Sequence, residues 1–356
     1  MTTSNQEHSD SASEWRKCLP SNTVAVVVTY GNRVQMAVET LARIFSSGIT
    51  RAVLVDNGLK EPVRIALAAQ LKALGGSVNV RRLPTNQGSA AGFAAGIAQA
   101  QQDGAEFLWL LDDDNHPQPE AFLNAAASLN LARSRKRRAA VSCLRTADPS
   151  HLRIAAGEAI AAVYPRAGEF FGFDLFSRFA PKPGRPASSA DGGSAEASDA
   201  VALIPVAPYG GLLLASTDID LVGPPDGRFV LYCDDYDFTQ RLVKNGVELQ
   251  LVSTARVDDA GQRWESQDSR SNMKSMMMNS SGWRAYYLFR NLRVLESRQA
   301  RQDGKMLRFF LNECVYTAMV LIRSLRARKL GFARLFLEAQ SDARHGRLGL
   351  KYQLPQ

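Results

Sequence analysis

Cysteine is scarce in this chain: four in 356 residues, at positions 18, 143, 233 and 314. So wide a scatter excludes a disulfide framework and a Cys/His metal cluster, and it suits a reducing compartment. No run of 18 apolar residues occurs, so no spanning helix is expected. The first residues, MTTSNQEHSDSASEWRK, lack the charged start and apolar core of a signal peptide, and a cytoplasmic protein is expected. No glycines follow a strand in the G-x-G-x-x-G spacing, which lowers a dinucleotide-dependent oxidoreductase reading. Nor does any zinc-finger, helix-turn-helix or RNA-binding signature accompany the net charge of +8, so nucleic acid is not an expected partner. The basic balance points instead to a phosphorylated ligand or an anionic membrane surface.

What is present alternates. Residues 1–20 are polar and serine-rich and read as a disordered tail. Thr23–Thr29 is a β-branched run that reads as a buried strand, and Val34–Phe45 follows with helical spacing. Ala52–Val55 and Ser77–Arg82 read as strands, Glu61–Leu74 and Ala90–Gln101 as helices. Phe107–Leu111 is a continuous apolar run of the kind buried parallel strands show. This order argues an α/β fold with a mostly parallel, doubly wound sheet. Residues 120–132 read as a helix, the basic run 133–138 as its solvated end or a phosphate contact, and Ala139–Leu144 as another strand. Residues 181–198 are rich in Pro, Gly, Ser and Ala and read as a flexible surface loop. From Trp283 onward the pattern is helical, amphipathic and basic, fitted either for packing or for an anionic membrane surface.

Two acidic groups stand out. Asp112, Asp113 and Asp114 close the Phe107–Leu111 run, where open α/β sheets collect ligands. If the chain stays extended, Asp112 and Asp114 share one side and could hold a hard divalent cation; a solvated acidic turn fits three acids alone equally well. Asp234, Asp235 and Asp237 open a helix with Phe238 and Leu242 on its inner face and Gly246 as its stop; acids there also serve as caps. Gly88, Gly92 and Gly96 share one helix face. Each interior glycine costs about 1 kcal/mol against alanine, so close approach to a ligand or to the sheet is expected.

Taken in order, Val27-Val-Thr-Tyr30, Val55-Asp-Asn-Gly58, Asn86-Gln-Gly-Ser-Ala-Ala-Gly92, Leu111-Asp-Asp-Asp114, Tyr209-Gly-Gly211, Asp234-Asp-Tyr-Asp-Phe238 with Arg241, and Tyr286-Tyr-Leu-Phe-Arg-Asn291 resemble the inverting family 2 glycosyltransferases of GT-A fold. The subset they are most similar to contains bacterial galactofuranosyl- and rhamnosyltransferases. The resemblance implies a catalytic domain over 21–260, split into a nucleotide-sugar half (21–115) and an acceptor half (116–260), with a helical region over 261–356. It implies that Thr29, Tyr30 and Asp56 hold base and ribose, that Arg82, Asn86 and Gly88 lie by the uracil and diphosphate, and that Asp113 belongs to the same site. Asp112 and Asp114 are the implied ligands of Mn²⁺ or Mg²⁺. Asp235 is the implied general base with Asp234 beside it, Asp237 an acceptor contact, and Gly210 and Gly211 the loop facing the donor sugar. The family's usual histidine ligand is missing; Asp258 stands near its place and is the expected substitute. The implied partners are a nucleoside-diphosphate sugar, UDP-galactofuranose or dTDP-rhamnose, and a glycan or lipid-linked glycan, with peripheral contact to the inner membrane face. A non-catalytic nucleotide-sugar-binding protein is the alternative.

Overall fold

A computed structural model describes residues 15–178, 201–260 and 282–355. In chain order the strands are β1 (Thr23–Thr29), β2 (Arg51–Asn57), β3 (Ser77–Leu83), β4 (Phe107–Asp112), β5 (Asn115–Pro117), β6 (Ala139–Arg145), β7 (Val201–Leu203), β8 (Leu212–Ala215) and β9 (Glu248–Asp259). The helices are α1 (Val34–Ser46), α2 (Glu61–Leu71), α3 (Gly88–Gln102), α4 (Ala121–Ser134), α5 (Pro149–Ala155), α6 (Ile160–Val163), α7 (Ser216–Val222), α8 (Asp234–Lys244), α9 (Gly282–Gln302), α10 (Met306–Arg326) and α11 (Leu330–Arg344). They fall into two units: residues 1–158, 201–262 and 349–356 form the first, and 159–200 with 263–348 the second.

The first unit is built on one sheet, ordered β3-β2-β1-β4-β8-β6-β9-β5, with β7 also paired to β9. β1 is buried along its whole length, as its run of valines demands, and pairs in parallel with β2 and β4. β3 closes that edge in parallel and alternates in exposure, as a half-covered edge strand does. Beyond β4 the sheet turns mixed: β8 is antiparallel to both β4 and β6, while β6 and β9 are parallel. The register of that last pair breaks between Cys143, opposite Val252, and Leu144, opposite Arg256.

Helix α3 lies on the sheet through its glycines. A Cβ on Gly92 would stand 2.7 Å from Val28 Cγ1, and one on Gly96 2.5 Å from Val26 Cγ1, so both glycines permit close helix-on-sheet packing. Gly88 differs: its φ is +87° and any Cβ would overlap the carbonyl oxygen of Val230. It marks the place where α3 starts, two residues before the expected Ala90.

The boundaries drawn on sequence shift. Residues 1–14 and the expected loop 181–198 lie outside the described residues. From Trp15 onward the tail is packed: Cys18 is buried, its N–H bonds Asn130 Oδ1 at 2.7 Å, and Arg133 donates to the Arg16 carbonyl at 2.8 Å. Arg133 is therefore buried under Trp15 and over Phe107 rather than solvated with the basic run it begins. The helical unit also takes in residues before 261, because Phe170 and Phe171 pack into its aromatic core with Phe289, Phe309, Tyr316 and Phe336. The Tyr286–Asn291 stretch lies in that core too: Arg290 is buried among Tyr286 and Tyr287, and Tyr286 Oη donates to Asp342 at 2.5 Å.

Candidate active site

The carboxyl ends of β1, β2 and β4 meet the start of α3 in the first unit. β4 ends at Asp112, and the chain then turns through Asp113 and Asp114 into β5 instead of staying extended. The turn gives the three acids different jobs. Asp113 is buried, accepting from Thr29 Oγ1 at 2.7 Å and pairing with Arg33 at 3.0 Å. Burial pushes its carboxyl up to about 8, against the pull of Arg33. Asp114 also takes Arg33, at 2.6 Å, and Arg33 in turn reaches Tyr30 Oη at 3.1 Å and covers the Tyr30 ring. Burial first, and then the charge of Asp114, push Asp112 up to about 6. A carboxylate whose proton affinity is raised by its neighbour's charge makes, with that neighbour, a donor set that a hard divalent cation fits, with water and phosphate oxygens completing its shell.

Asn115, buried at the head of β5, fixes this turn. Its Oδ1 accepts the Asp112 N–H at 2.8 Å, and its Nδ2 donates to Asp259 at 3.0 Å. Asp259 is also paired with the half-buried Arg145, and both charges reach Asp112. Asp258, the expected substitute ligand, is placed otherwise. Its Oδ1 accepts from Thr146 at 2.6 Å and its Oδ2 from Gln118 at 3.3 Å. Successive side chains of β9 point to opposite faces, so Asp259 is the one turned toward Asp112. Among the described residues no group of three His, Cys, Asp or Glu side chains gathers as a metal site.

The nucleotide-side residues take mixed positions. Thr29 is buried beneath Asp113, and Tyr30 is half-buried under Arg33. Asp56 is buried with both oxygens engaged, by the Leu59 N–H at 2.7 Å and by Arg64 at 2.7 Å. Arg82 is exposed at the edge strand, in register with Asp56. Asn86 accepts the Gly88 N–H at 3.0 Å and donates to the Pro355 carbonyl at 2.6 Å, so the returning C-terminal segment touches the glycine loop. Asn57, not singled out from sequence, bonds the same loop at Gln87 N and Gly88 O.

The second acidic group reaches this loop. Asp234, at the start of α8, is buried and accepts from Ser89 Oγ at 2.9 Å. Burial pushes it up to about 7, and Asp112 adds to the rise. Asp235 is half-exposed and accepts the Tyr236 N–H at 2.8 Å. Asp237 is buried and pairs with Arg241 at 2.9 Å, while Arg241 also donates to the carbonyls of Val222 and Pro224. The buried Tyr209, stacked near Phe93 and Phe238, feels the charges of Asp234, Asp235 and Asp237. The loop that follows it is tight. Gly211 has φ +89° and sits where a Cβ would meet Cys143, while Gly210 faces Asn115 and Arg145. Three residues enter α8 with positive φ, Val230, Tyr232 and Cys233, a strained approach of the kind that clusters at functional sites.

Arg33, Arg145 and Asn115 were not singled out in sequence, and Ser89 and Asp259 were given no role, although Ser89 lies within the Asn86–Gly92 motif and Asp259 stands beside Asp258. Arg33 carried a cue too, a base one turn after a strand that ends in Thr-Tyr; Arg145 and Asn115 are single polar residues without spacing.

Comparison with known proteins places this geometry. Residues 25–132 match the family described as Glycosyl transferase family 2. Over 232 residues the chain is 26% identical to galactofuranosyltransferase GlfT1 of Mycolicibacterium smegmatis (strain ATCC 700084 / mc(2)155), covering 65% of this chain and 68% of that protein. Among solved structures it is similar to S. aureus TarS 1-349 in complex with UDP-GlcNAc, with TM-score 0.50, 15% identity, and coverage of 90% and 80%. It is equally similar to the mannosyltransferase PcManGT of Pyrobaculum calidifontis in complex with GDP-Man and Mn²⁺, with TM-score 0.50, 12% identity, and coverage of 95% and 94%. Against GalNAc-T7 it spans about half of the solved chain, 48%. The two structural likenesses at 0.50 give the fold of the sheet, the GT-A arrangement.

Proposed function

We propose that this chain, a glycosyltransferase whose residues 25–132 form a family 2 domain, moves a sugar from a nucleoside diphosphate to a hydroxyl of a glycan or lipid-linked glycan with inversion at the anomeric carbon. The observation that carries this reading is the meeting of the two acidic groups: Ser89 of the glycine loop donates to Asp234 at 2.9 Å, and the charge of Asp112, more than a hundred residues away in the chain, reaches Asp234 and raises its proton affinity.

The residues divide the work by exposure. A general base must be reachable by the incoming alcohol, and Asp235 is half-exposed where Asp234 is buried. Asp235 takes the acceptor proton as the acceptor oxygen bonds the anomeric carbon and the bond to the diphosphate oxygen breaks on the opposite face. Asp234 holds Ser89 and so orients the loop at the start of α3, where backbone N–H groups favour phosphate. Asp112 and Asp114 would hold a divalent cation, Mn²⁺ or Mg²⁺, which supplies charge to the departing diphosphate when bound. Arg33 and Arg145 fix the carboxylates around them. Of the residues assigned to the base and ribose, Tyr30 is accessible while Thr29 and Asp56 are buried and engaged by protein groups; Arg82, assigned beside the uracil and diphosphate, is exposed.

UDP-galactofuranose is the donor favoured, because the curated relative is a galactofuranosyltransferase. The test is a panel of nucleotide sugars, UDP-galactofuranose and dTDP-rhamnose included, assayed for release of the nucleoside diphosphate with and without Mn²⁺. Cation-stimulated release from one donor is expected. Binding of UDP with no turnover of any donor, on any glycan acceptor, would leave a nucleotide-sugar-binding protein instead.

A further inference from the structure

Helix α10 has two apolar faces and uses only one of them inside its own unit. Phe309, Tyr316 and Val320 are buried, together with Asn312, Glu313 and Ser324. The opposite face is as apolar and is open: Leu307 is 74% exposed, Phe310 54% and Leu325 66%, with Leu311, Leu321 and Ile322 exposed beside them. At 100° per residue these six fall within an arc of about 120°, the width of a complete amphipathic stripe. Scattered surface leucines need no reason, but a stripe running the length of a 21-residue helix does.

The charges around the stripe decide what it meets. Residues 303–334 carry seven Lys and Arg against two acids, and one of those acids, Glu313, is buried and paired with Arg293 and Arg344. Arg326, Arg328 and Lys329 are exposed where α10 ends, and Lys305 is exposed at its start, where Arg308 is paired with Asp174. Two copies packed stripe to stripe in parallel would set the three bases at the end of α10 against their own copies. An anionic bilayer surface satisfies both features: the apolar stripe enters the boundary between headgroups and acyl chains, and the guanidinium and ammonium groups meet lipid phosphates.

We infer that the outer face of α10 docks this protein on an anionic membrane surface. The assignment rests on the helix and not on the transfer reaction, and it names the surface on which a lipid-linked acceptor would be met. No helix among the described residues is long and apolar enough to cross a membrane, so this attachment is peripheral.

Sedimentation of the full chain with phosphatidylcholine vesicles, with and without phosphatidylglycerol, tests it. Binding is expected only to the anionic vesicles and is weakened by salt. The triple variant Leu307→Ser, Phe310→Ser, Leu325→Ser is expected to lose about tenfold or more in vesicle affinity with its thermal midpoint unchanged. Should that variant not fold, Arg326→Gln, Arg328→Gln, Lys329→Gln is expected to lose about a hundredfold, at about 1 kcal/mol per charge. Failure of the wild type to sediment with anionic vesicles would overturn the inference. So would vesicle binding that both variants retain, or a wild-type dimer that the first variant turns into monomer without change in vesicle binding. Nucleotide-sugar turnover measured on the same samples keeps this result separate from that of the proposed activity.

Discussion

Each unit buries paired carboxylates, Asp56 and Asp237 among those of the sheet unit, but the sheet unit also gathers a crowded set. Among the described residues of the helical unit the buried acids are answered: Glu313 lies between Arg293 at 2.6 Å and Arg344 at 3.0 Å, Asp342 takes Tyr286 and Arg347, and Glu296 receives the Phe171 N–H. In the sheet unit Asp112, Asp113 and Asp234 are crowded, and burial pushes all three well above the usual carboxylate range. Paired acids hold a fold together. Crowded acids are held at a cost, and that cost would fall on binding a cation. The contrast separates the chemistry of the molecule from its scaffolding without reference to any relative.

The largest expected effect breaks the comparison at its catalytic end. Asp235→Asn keeps the shape and removes the carboxylate proposed as the base, so turnover is expected to fall about 10³- to 10⁴-fold, the upper part of what one general base contributes. Donor affinity by calorimetry is expected to stay within about twofold, since Asp235 acts on the acceptor side. Transfer at a wild-type rate by this variant would move the base elsewhere, with Asp234 the next residue to test.

How much of this was legible beforehand differs by scale. β1 and β4 could be read because runs such as Val24–Val28 and Phe107–Leu111 are buried on both faces and admit little else. The two acidic groups could be located because each closes or opens an element. Their geometry could not. An extended path through Asp114 predicted that alternate acids share a side, but the buried Asn115 pulls the chain into a turn and sends Asp113 to Arg33. The choice between Asp258 and Asp259 depended on parity along β9, and the register break opposite Cys143 and Leu144 makes counting from Leu249 unreliable. Arg33 and Arg145 had no periodic signal; only the folded sheet brings them to the acids.

The next prediction breaks the comparison on the scaffold side. Glu313→Gln leaves the buried Arg293, and the half-exposed Arg344, facing a neutral amide, and removal of one partner from a buried pair such as that with Arg293 costs about 3 kcal/mol. Chemical denaturation is expected to show that loss, while turnover per folded molecule is kept. A variant as stable as the wild type would mean that the pairing of buried acids in this unit is not what distinguishes it.

The smallest expected effect sharpens the comparison, because it measures what a crowded acid costs. Asp234 in the folded chain titrates near 7 against an ordinary value near 3.8. The folded state therefore binds this proton more tightly than the unfolded chain does. That contribution is fully present below about pH 4 and is lost as pH rises toward 7, so the charged carboxylate works against folding at neutral pH. Asp234→Asn removes the charge and can still accept from Ser89. The variant is expected to match the wild type in thermal midpoint at about pH 4 and to exceed it above about pH 7, by on the order of 2 kcal/mol after allowance for solvent relaxation around a buried charge. A constant offset between Asp234→Asn and wild type at every pH would place Asp234 with the paired acids of the helical unit, and the distinction between the two regions would then rest on Asp112 and Asp113 alone.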